Sequence, residues 1–332
     1  MRNISNINYL IILLSLMVLL GCSNKKNQKQ VIIYTSVDQI YSSKIFKDFE
    51  QKTGIQVLAV YDTEASKAIG LEKRILAEKA HPRADIFWNS EPIRTARLAK
   101  QGLFQTSPNI VLPLYKNSFY YATDRTWFGI GERKRVIIVN TNLVLPKDYP
   151  LYLHDIWNEK YKGKVAISSP YIGTAATHFA ALYHEYGEIG FKKLLSVMKQ
   201  AETSYVAGNS VVKDVVGAGK YPIGLVDTDD AIAGINAGLP LKMIYYNQKY
   251  RGSFSIFGTV AMLKSAPNQN EATRFLQYLL TKETEQKLID IGAVQFSVLE
   301  QSTTSSPQGW GLNPEDLLDD LKISYSLMKE LL

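Results

Sequence analysis

From residue 31 onward the chain alternates short runs rich in β-branched and aromatic residues with longer stretches whose apolar residues recur at helical spacing. That alternation predicts helices packed on the faces of an open, doubly wound α/β sheet. Residues 31–35 read as a buried strand. Asp38 then stands where a helix N-cap belongs, Tyr41, Ile45, Phe46 and Phe49 repeat along one helical face, and Gly54 closes the helix as its C′ residue. The same reading gives strands at 55–60, 84–88, 135–141, 164–168, 221–227 and 255–263. Helices are expected at 65–79, 92–101, 174–186, 190–200, 211–217, 231–237, 270–280 and 282–291, with a helical tail over 313–332. Open sheets of this kind bind ligands beyond the carboxyl ends of their strands, where loops feed helix N-termini. The junctions to watch are therefore 36–38, 89–91, 168–174, 207–210 and 227–230.

Cys22 is the only cysteine in 332 residues, so no intramolecular disulfide can form and the core alone must hold the fold. Hydrophobic residues at 46% and charged residues at 21% support such a core. Arg2, the apolar run 9–20 and the tetrad Leu19-Leu20-Gly21-Cys22 resemble a bacterial lipoprotein signal. That resemblance implies a leader over residues 1–21, lipidation of Cys22, a polar tether over 22–30 and a mature protein anchored outside the cytoplasm. The apolar run is too short to span a membrane, which takes about 20 residues. Removing the leader, whose charged side chain is Arg2, lowers the formal charge from +7 to +6. The basic residues are scattered and no helix-turn-helix or RNP-like signature is present, which argues against nucleic acid.

Several local motifs fail once their context is required. Ser210-Val211-Val212-Lys213 and Lys52-Thr53-Gly54 match fragments of a β-lactamase signature, but in the wrong order and without the SDN element. Gly217-Ala218-Gly219-Lys220 is followed by Tyr221 where a P-loop has Ser or Thr. Gly129-Ile130-Gly131 lacks the third glycine of a dinucleotide loop. The histidines at 81, 154, 178 and 184 have no zinc-ligand spacing, and Cys22 is committed to the anchor, so no cysteine nucleophile or resident cofactor is expected.

Two kinds of feature survive. Gly173-Thr174 and Asn209-Ser210 each follow a strand and open a helix, where free N–H groups and the dipole favour an anion; plain capping is the alternative. Asp227-Thr228-Asp229-Asp230 places three carboxylates in four residues. They suit either the capping of helix 231–237 or the coordination of a hard cation or ammonium group, shared with Glu91 and Asp38. Arg133 and Arg135 could add positive charge to a cleft or be solvated.

The stretches Tyr34-Thr35-Ser36, Phe49-Glu50-Gln51-Lys52-Thr53-Gly54-Ile55, Ala84-Asp85-Ile86-Phe87-Trp88-Asn89-Ser90-Glu91, Arg135-Val136-Ile137-Ile138-Val139-Asn140-Thr141 and Asn209-Ser210-Val211 are similar to those of the ferric-ion-type extracellular solute-binding proteins of ABC importers. The resemblance implies two lobes joined by crossover strands, residues 31–130 with about 258–300 and 131–257 with about 301–332. It implies a monomer without catalysis that closes on Fe3+ and a synergistic anion and delivers the metal to a permease. In the family's iron site, Asp229-Asp230 stand in place of a tyrosine pair, Val139 in place of a further tyrosine, and Asp38 in place of a histidine; Glu91 matches the acidic ligand. The anion site maps to Gly173, Thr174, Asn209 and Ser210. Ser36, Tyr61, Asn89, Ser90 and Asp227 complete the expected cleft. Without the phenolates, a metal-free organic anion such as a phosphonate, sugar phosphate or carboxylate is the alternative solute. An exported hydrolase or a surface adhesin is the alternative class.

Overall fold

The structure, a computed structural model, describes residues 28–63, 66–247, 251–300, 307 and 309–332. The leader, Cys22 and tether residues 23–27 lie outside them, as does residue 65 at the start of one expected helix.

The first half of the chain builds β1 (Gln30–Thr35), α1 (Gln39–Thr53), β2 (Gln56–Tyr61), α2 (Ile69–Ala77), β3 (Ile86–Asn89), α3 (Pro92–Lys100) and β4 (Phe128–Asn140). There follow β5 (Val165–Ser168), α4 (Gly173–Gln200), β6 (Ser204–Val206), α5 (Asn209–Gly217), β7 (Ile223–Asp227), α6 (Thr228–Asn236) and β8 (Leu241–Ile244). The chain returns through β9 (Ser253–Met262), α7 (Gln269–Leu279), α8 (Lys282–Asp290), β10 (Gly309–Trp310) and α9 (Leu318–Leu331). The expected pattern of alternating elements is present, and Gly54 caps α1 in the left-handed conformation at φ 69°. The expected break between helices 174–186 and 190–200 is a kink inside α4 at Gly187, where φ is 64° and ψ 178°.

The strands run in the order β2-β1-β3-β9-β4-β7-β5-β6, with β8 and β10 pairing β4 and β9 outside that path. Parallel pairs β1–β2, β1–β3, β5–β6 and β5–β7 flank two antiparallel strands, β9 and β4. β4 belongs to two half-sheets: Phe128 to Lys134 pair with β9, and Arg135 to Val139 pair with β7. The partner changes between Lys134 and Arg135, so the charged stretch of this strand sits where the sheet switches. Each half-sheet is covered on both faces. Ile45, Phe46 and Phe49 of α1 pack with Phe275 of α7 on one face of the first, and Leu71, Ile75 and Leu98 lie on the other. Phe179, Phe191 and Leu195 of α4 cover the second, opposite Val212 and Val216 of α5.

β4 begins seven residues before the expected strand, and all 13 of its residues are buried. The sequence places the strand only from Arg135 onward and leaves Arg133 and Arg135 either adding charge to a cleft or solvated. Burial is tolerated because each charge has a counter-ion: Lys134 meets Glu132 at 3.0 Å, Arg133 meets Asp229 at 3.3 Å and Arg135 meets Asp227 at 2.8 Å. Both arginines are therefore core residues. Gly131 forms a bulge at φ 53°, and a Cβ there would lie 2.6 Å from a Val294 methyl, so the strand bends here only with glycine. The buried Glu285 carboxylate accepts the Gly131 N–H at 3.0 Å and that of Val298 at 3.0 Å, which pins the bulge. Strands β6, β8 and β10, of three, four and two residues, were not expected from the sequence. Among the described residues, no helix is long and apolar enough to cross a membrane.

Candidate functional site

Side chains alternate along a strand, so Arg133 and Arg135 share one face of β4 while Glu132 and Lys134 pair on the other. That arginine face meets the ends of β3 and β7 and the starts of α4, α5 and α6. Two small cavities of about 30 and 20 Å³ flank Arg133, and Lys67, Ser90 and Arg133 line both. Asp38, Tyr41 and Asp229 complete the first; Gly173, Thr174, Asn209, Asp227 and Asp230 border the second. Each has room for a water or two, or a bare ion, in this arrangement.

The carboxylates of Asp227, Asp229 and Asp230 present oxygens within 4.8 Å of one another. Asp229 is buried; its Oδ2 lies 3.3 Å from Arg133 Nη1, and its Oδ1 has no hydrogen-bond partner. Burial first, then the neighbouring Asp227 and Asp38, push Asp229 up to about 6, against the opposing pull of Arg133 and Lys67. Asp230 is raised well above the carboxylate range by burial and by Asp229. Asp227 goes the other way. Burial alone would raise it, but Arg135, Arg133 and the Thr174 hydroxyl outweigh that and hold it below the usual value. Opposite them, Lys67 Nζ is 2.7 Å from Asp38 Oδ1. Tyr41 is pushed up to about 12 by burial and by Asp229, Asp230 and Asp38, so it stays a neutral phenol. Four carboxylates thus share the cleft with three cations, and burial first, then their acidic neighbours, favours the protonated form of two of them, Asp229 and Asp230.

The structure brings Asp38, Ser90, Gly173, Thr174, Asn209, Asp227, Asp229 and Asp230 together, as expected of one cleft. Others take different parts. Glu91, expected as a metal ligand, does not line either cavity: it is fully buried as the N-cap of α3, accepting from Ile93 N at 2.8 Å, Arg94 N at 3.3 Å and Thr177 Oγ1 at 2.7 Å. Its oxygens are committed to capping, and the bond to Thr177 ties α3 to α4. Asn89 supports it through Nδ2, which donates to the Glu91 carbonyl at 2.6 Å. Ser36 Oγ donates to Asn89 Oδ1 at 2.6 Å and accepts the Ser90 N–H at 2.9 Å. Ser36 and Asn89 are therefore scaffolding that sets the Ser90 carbonyl, which accepts from Arg133 Nη2. Tyr61 packs against the α1 core, its hydroxyl 3.5 Å from Ser42 Oγ, and does not line the cavities. Ser210 falls one residue beyond the lining.

The expected anion cradle also faces inward. Thr174 Oγ1 donates to Asp227 Oδ2 at 2.6 Å and Asn209 Nδ2 donates to the same oxygen at 3.1 Å. The capping alternative for the aspartates holds only in part: α6 begins at Thr228 with Asp229 and Asp230 in its first turn, yet Asp227, at the N-cap, makes no side-chain cap bond. Lys67 and Tyr41 were missed. Tyr41 was legible only as a helix-face residue, and Lys67 stands in a turn where no spacing marks it.

A model of bacterial extracellular solute-binding proteins matches residues 44–306. The iron uptake protein A1 of Synechocystis is 27% identical over 272 residues, covering 78% of this chain and 73% of that one. Iron-bound HitA from Pseudomonas aeruginosa superposes with a TM-score of 0.80 at 22% identity, over 91% of this chain and 99% of that chain. AfuA from Actinobacillus pleuropneumoniae, with fructose-6-phosphate bound, gives a TM-score of 0.76 at 21% identity over 92% and 98%. These two structures show a shared two-lobed fold.

Proposed function

The chain belongs to the bacterial extracellular solute-binding proteins, and we propose on that footing that it is the capture component of an ABC importer whose solute is ferric iron. Its lobes, residues 31–130 with about 258–300 and 131–257 with about 301–332, would close on the ion, and the closed form would be what the permease subunits recognise. The observation that carries the metal is the adjacent pair of buried Asp229 and half-buried Asp230. One Asp229 oxygen is unpartnered inside the cleft, and both acids are held toward their protonated form. Hard cations take oxygen ligands, and a desolvated carboxylate pair gains most when a cation of high charge replaces its protons. Asp38 and the Tyr41 phenol face the same cavity from the other lobe. The name of the cyanobacterial relative points the same way.

Metal-stripped protein titrated with ferric nitrilotriacetate should gain about 2.7 kcal/mol of stability at 100 times the dissociation constant, read as a rise in melting temperature. No rise with iron, together with a rise for a metal-free sugar phosphate or phosphonate, would replace this reading by the second one. That second reading has its own support: Lys67 and Arg133 line both cavities, and the Actinobacillus neighbour carries a sugar phosphate.

The anchor is part of the proposal. Cys22 would hold the protein at the outer face of a membrane through its acyl chains, with residues 23–30 as the tether. Mass spectrometry of the mature N-terminal peptide should find it beginning at a diacylglyceryl cysteine; an unmodified thiol at Cys22 would remove the anchor from the account.

A further inference from the structure

An aspartate at an N-cap ordinarily turns its carboxylate onto the first N–H groups of its own helix. Asp227 does not; its carboxylate is 1% exposed and is turned instead onto side chains of three other elements. Oδ1 accepts from Arg135 Nη1 of β4 at 2.8 Å. Oδ2 accepts from Thr174 Oγ1 at the start of α4 at 2.6 Å and from Asn209 Nδ2 at the start of α5 at 3.1 Å, with Arg133 Nη1 at 3.5 Å. Asn209 Oδ1 in turn accepts from Arg135 at 3.0 Å, which fixes the amide with its donor end toward Asp227. Two guanidinium groups, a hydroxyl, an amide and the ends of two helices make a donor set suited to a small oxyanion. Asp227 takes the side-chain donors Arg135 Nη1, Thr174 Oγ1 and Asn209 Nδ2 of that set, while Arg135 Nε has no hydrogen-bond partner and neither helix carries a side-chain cap.

We propose that Asp227 is the resident anion of the cleft, excluding exogenous phosphate and small carboxylates from donors that would otherwise bind them, and that its removal uncovers an oxyanion site. For the ferric reading, on which only this clause rests, the consequence is metal uptake without an accompanying anion. The synergistic anion expected from the family resemblance is then supplied by the chain itself.

The test compares the wild-type protein with Asp227→Ala and Asp227→Asn, all metal-stripped, titrated with inorganic phosphate by calorimetry and by thermal shift. Wild type should show no saturable phosphate binding. Asp227→Ala should bind phosphate and recover melting temperature as its concentration rises, while Asp227→Asn, which keeps an acceptor for Arg135, should bind it more weakly than the alanine variant. Wild type binding phosphate as tightly as Asp227→Ala would overturn the proposal, as would a folded alanine variant that gains no affinity. Should that variant be too unstable to purify, refolding it in phosphate and in chloride of equal ionic strength gives the same decision: equal yields sink the idea. In a separate arm, wild-type affinity for ferric nitrilotriacetate should be unchanged by phosphate, and an increase of about tenfold or more counts against a resident anion. The phosphate arm contains no iron, so its outcome stands apart from whether iron is the solute.

Discussion

Replacing Asp229 and Asp230 together by asparagine is expected to lower ferric-iron affinity by ~100-fold or more, since two of the four cleft carboxylates are lost and removing even outer partners of a metal ligand costs about 10–100-fold. The ligand-free protein should respond in the opposite direction and become more stable at neutral pH. Asp229 titrates near 3.8 when unfolded and about 6 when folded. Below 3.8 both states are protonated and Asp229 carries no penalty. As pH rises from 3.8 to about 6, the unfolded chain ionises freely while the folded one holds its proton, so stability is lost across that window. A shift of about two units corresponds to roughly 3 kcal/mol. Asp229→Asn should reduce that slope, read from urea midpoints on either side of the window, and the part that remains belongs to Asp230. Iron requires the ionised carboxylates, so wild-type affinity should fall as pH drops through about 6. A double variant that binds iron like wild type would falsify the carboxylate site.

Arg135→Met is expected to be the most damaging single change to stability. Arg135 is wholly buried and bonds Asp227 at 2.8 Å, Asn209 at 3.0 Å and the Leu225 carbonyl at 3.4 Å. Removing one partner of a buried pair leaves the other charge uncompensated, which costs about 3–5 kcal/mol. Methionine fills much of the volume, so the loss is electrostatic rather than a cavity effect. Chemical denaturation should show a large drop in midpoint with an unchanged slope. Adding Asp227→Asn to Arg135→Met should restore a good part of it, because the stranded charge is gone; a double variant as unstable as the sum of the two singles would show that the pair does not couple. Burial, with the same arginine second, depresses His178, which is enclosed at 3.2 Å from the Tyr246 hydroxyl and stacks on Phe254.

What could be read along the chain was whatever depends on near neighbours. The apolar spacing of Ile45, Phe46 and Phe49 specified α1, and Gly54 specified its end, because a helix face and a left-handed cap are decided within one or two turns. Asp227-Thr228-Asp229-Asp230 stood out because three acids after a strand are costly unless something meets them. The resemblance to ferric-type solute-binding proteins supplied the expectation of two lobes, which local pattern could not.

The tertiary structure decided which of those polar groups face a solute and which face one another. Glu91 looked like a ligand until Thr177, 86 residues on, and the first turn of α3 took its oxygens. Thr174 and Asn209 looked like donors to an anion until Asp227, 53 and 18 residues distant, took their bonds. Arg133 and Arg135 read as either cleft charges or solvated side chains until counter-ions from α6 and β7 made their burial tolerable, as Glu132 does for Lys134 within β4. Propensity and periodicity act over a few residues, so sequence alone determined the elements and the acidic cluster. Desolvation and charge pairing act between groups that only the folded sheet brings within 4 Å, so the structure alone determined that Asp229 keeps an unpartnered oxygen in the cleft while Asp227 does not.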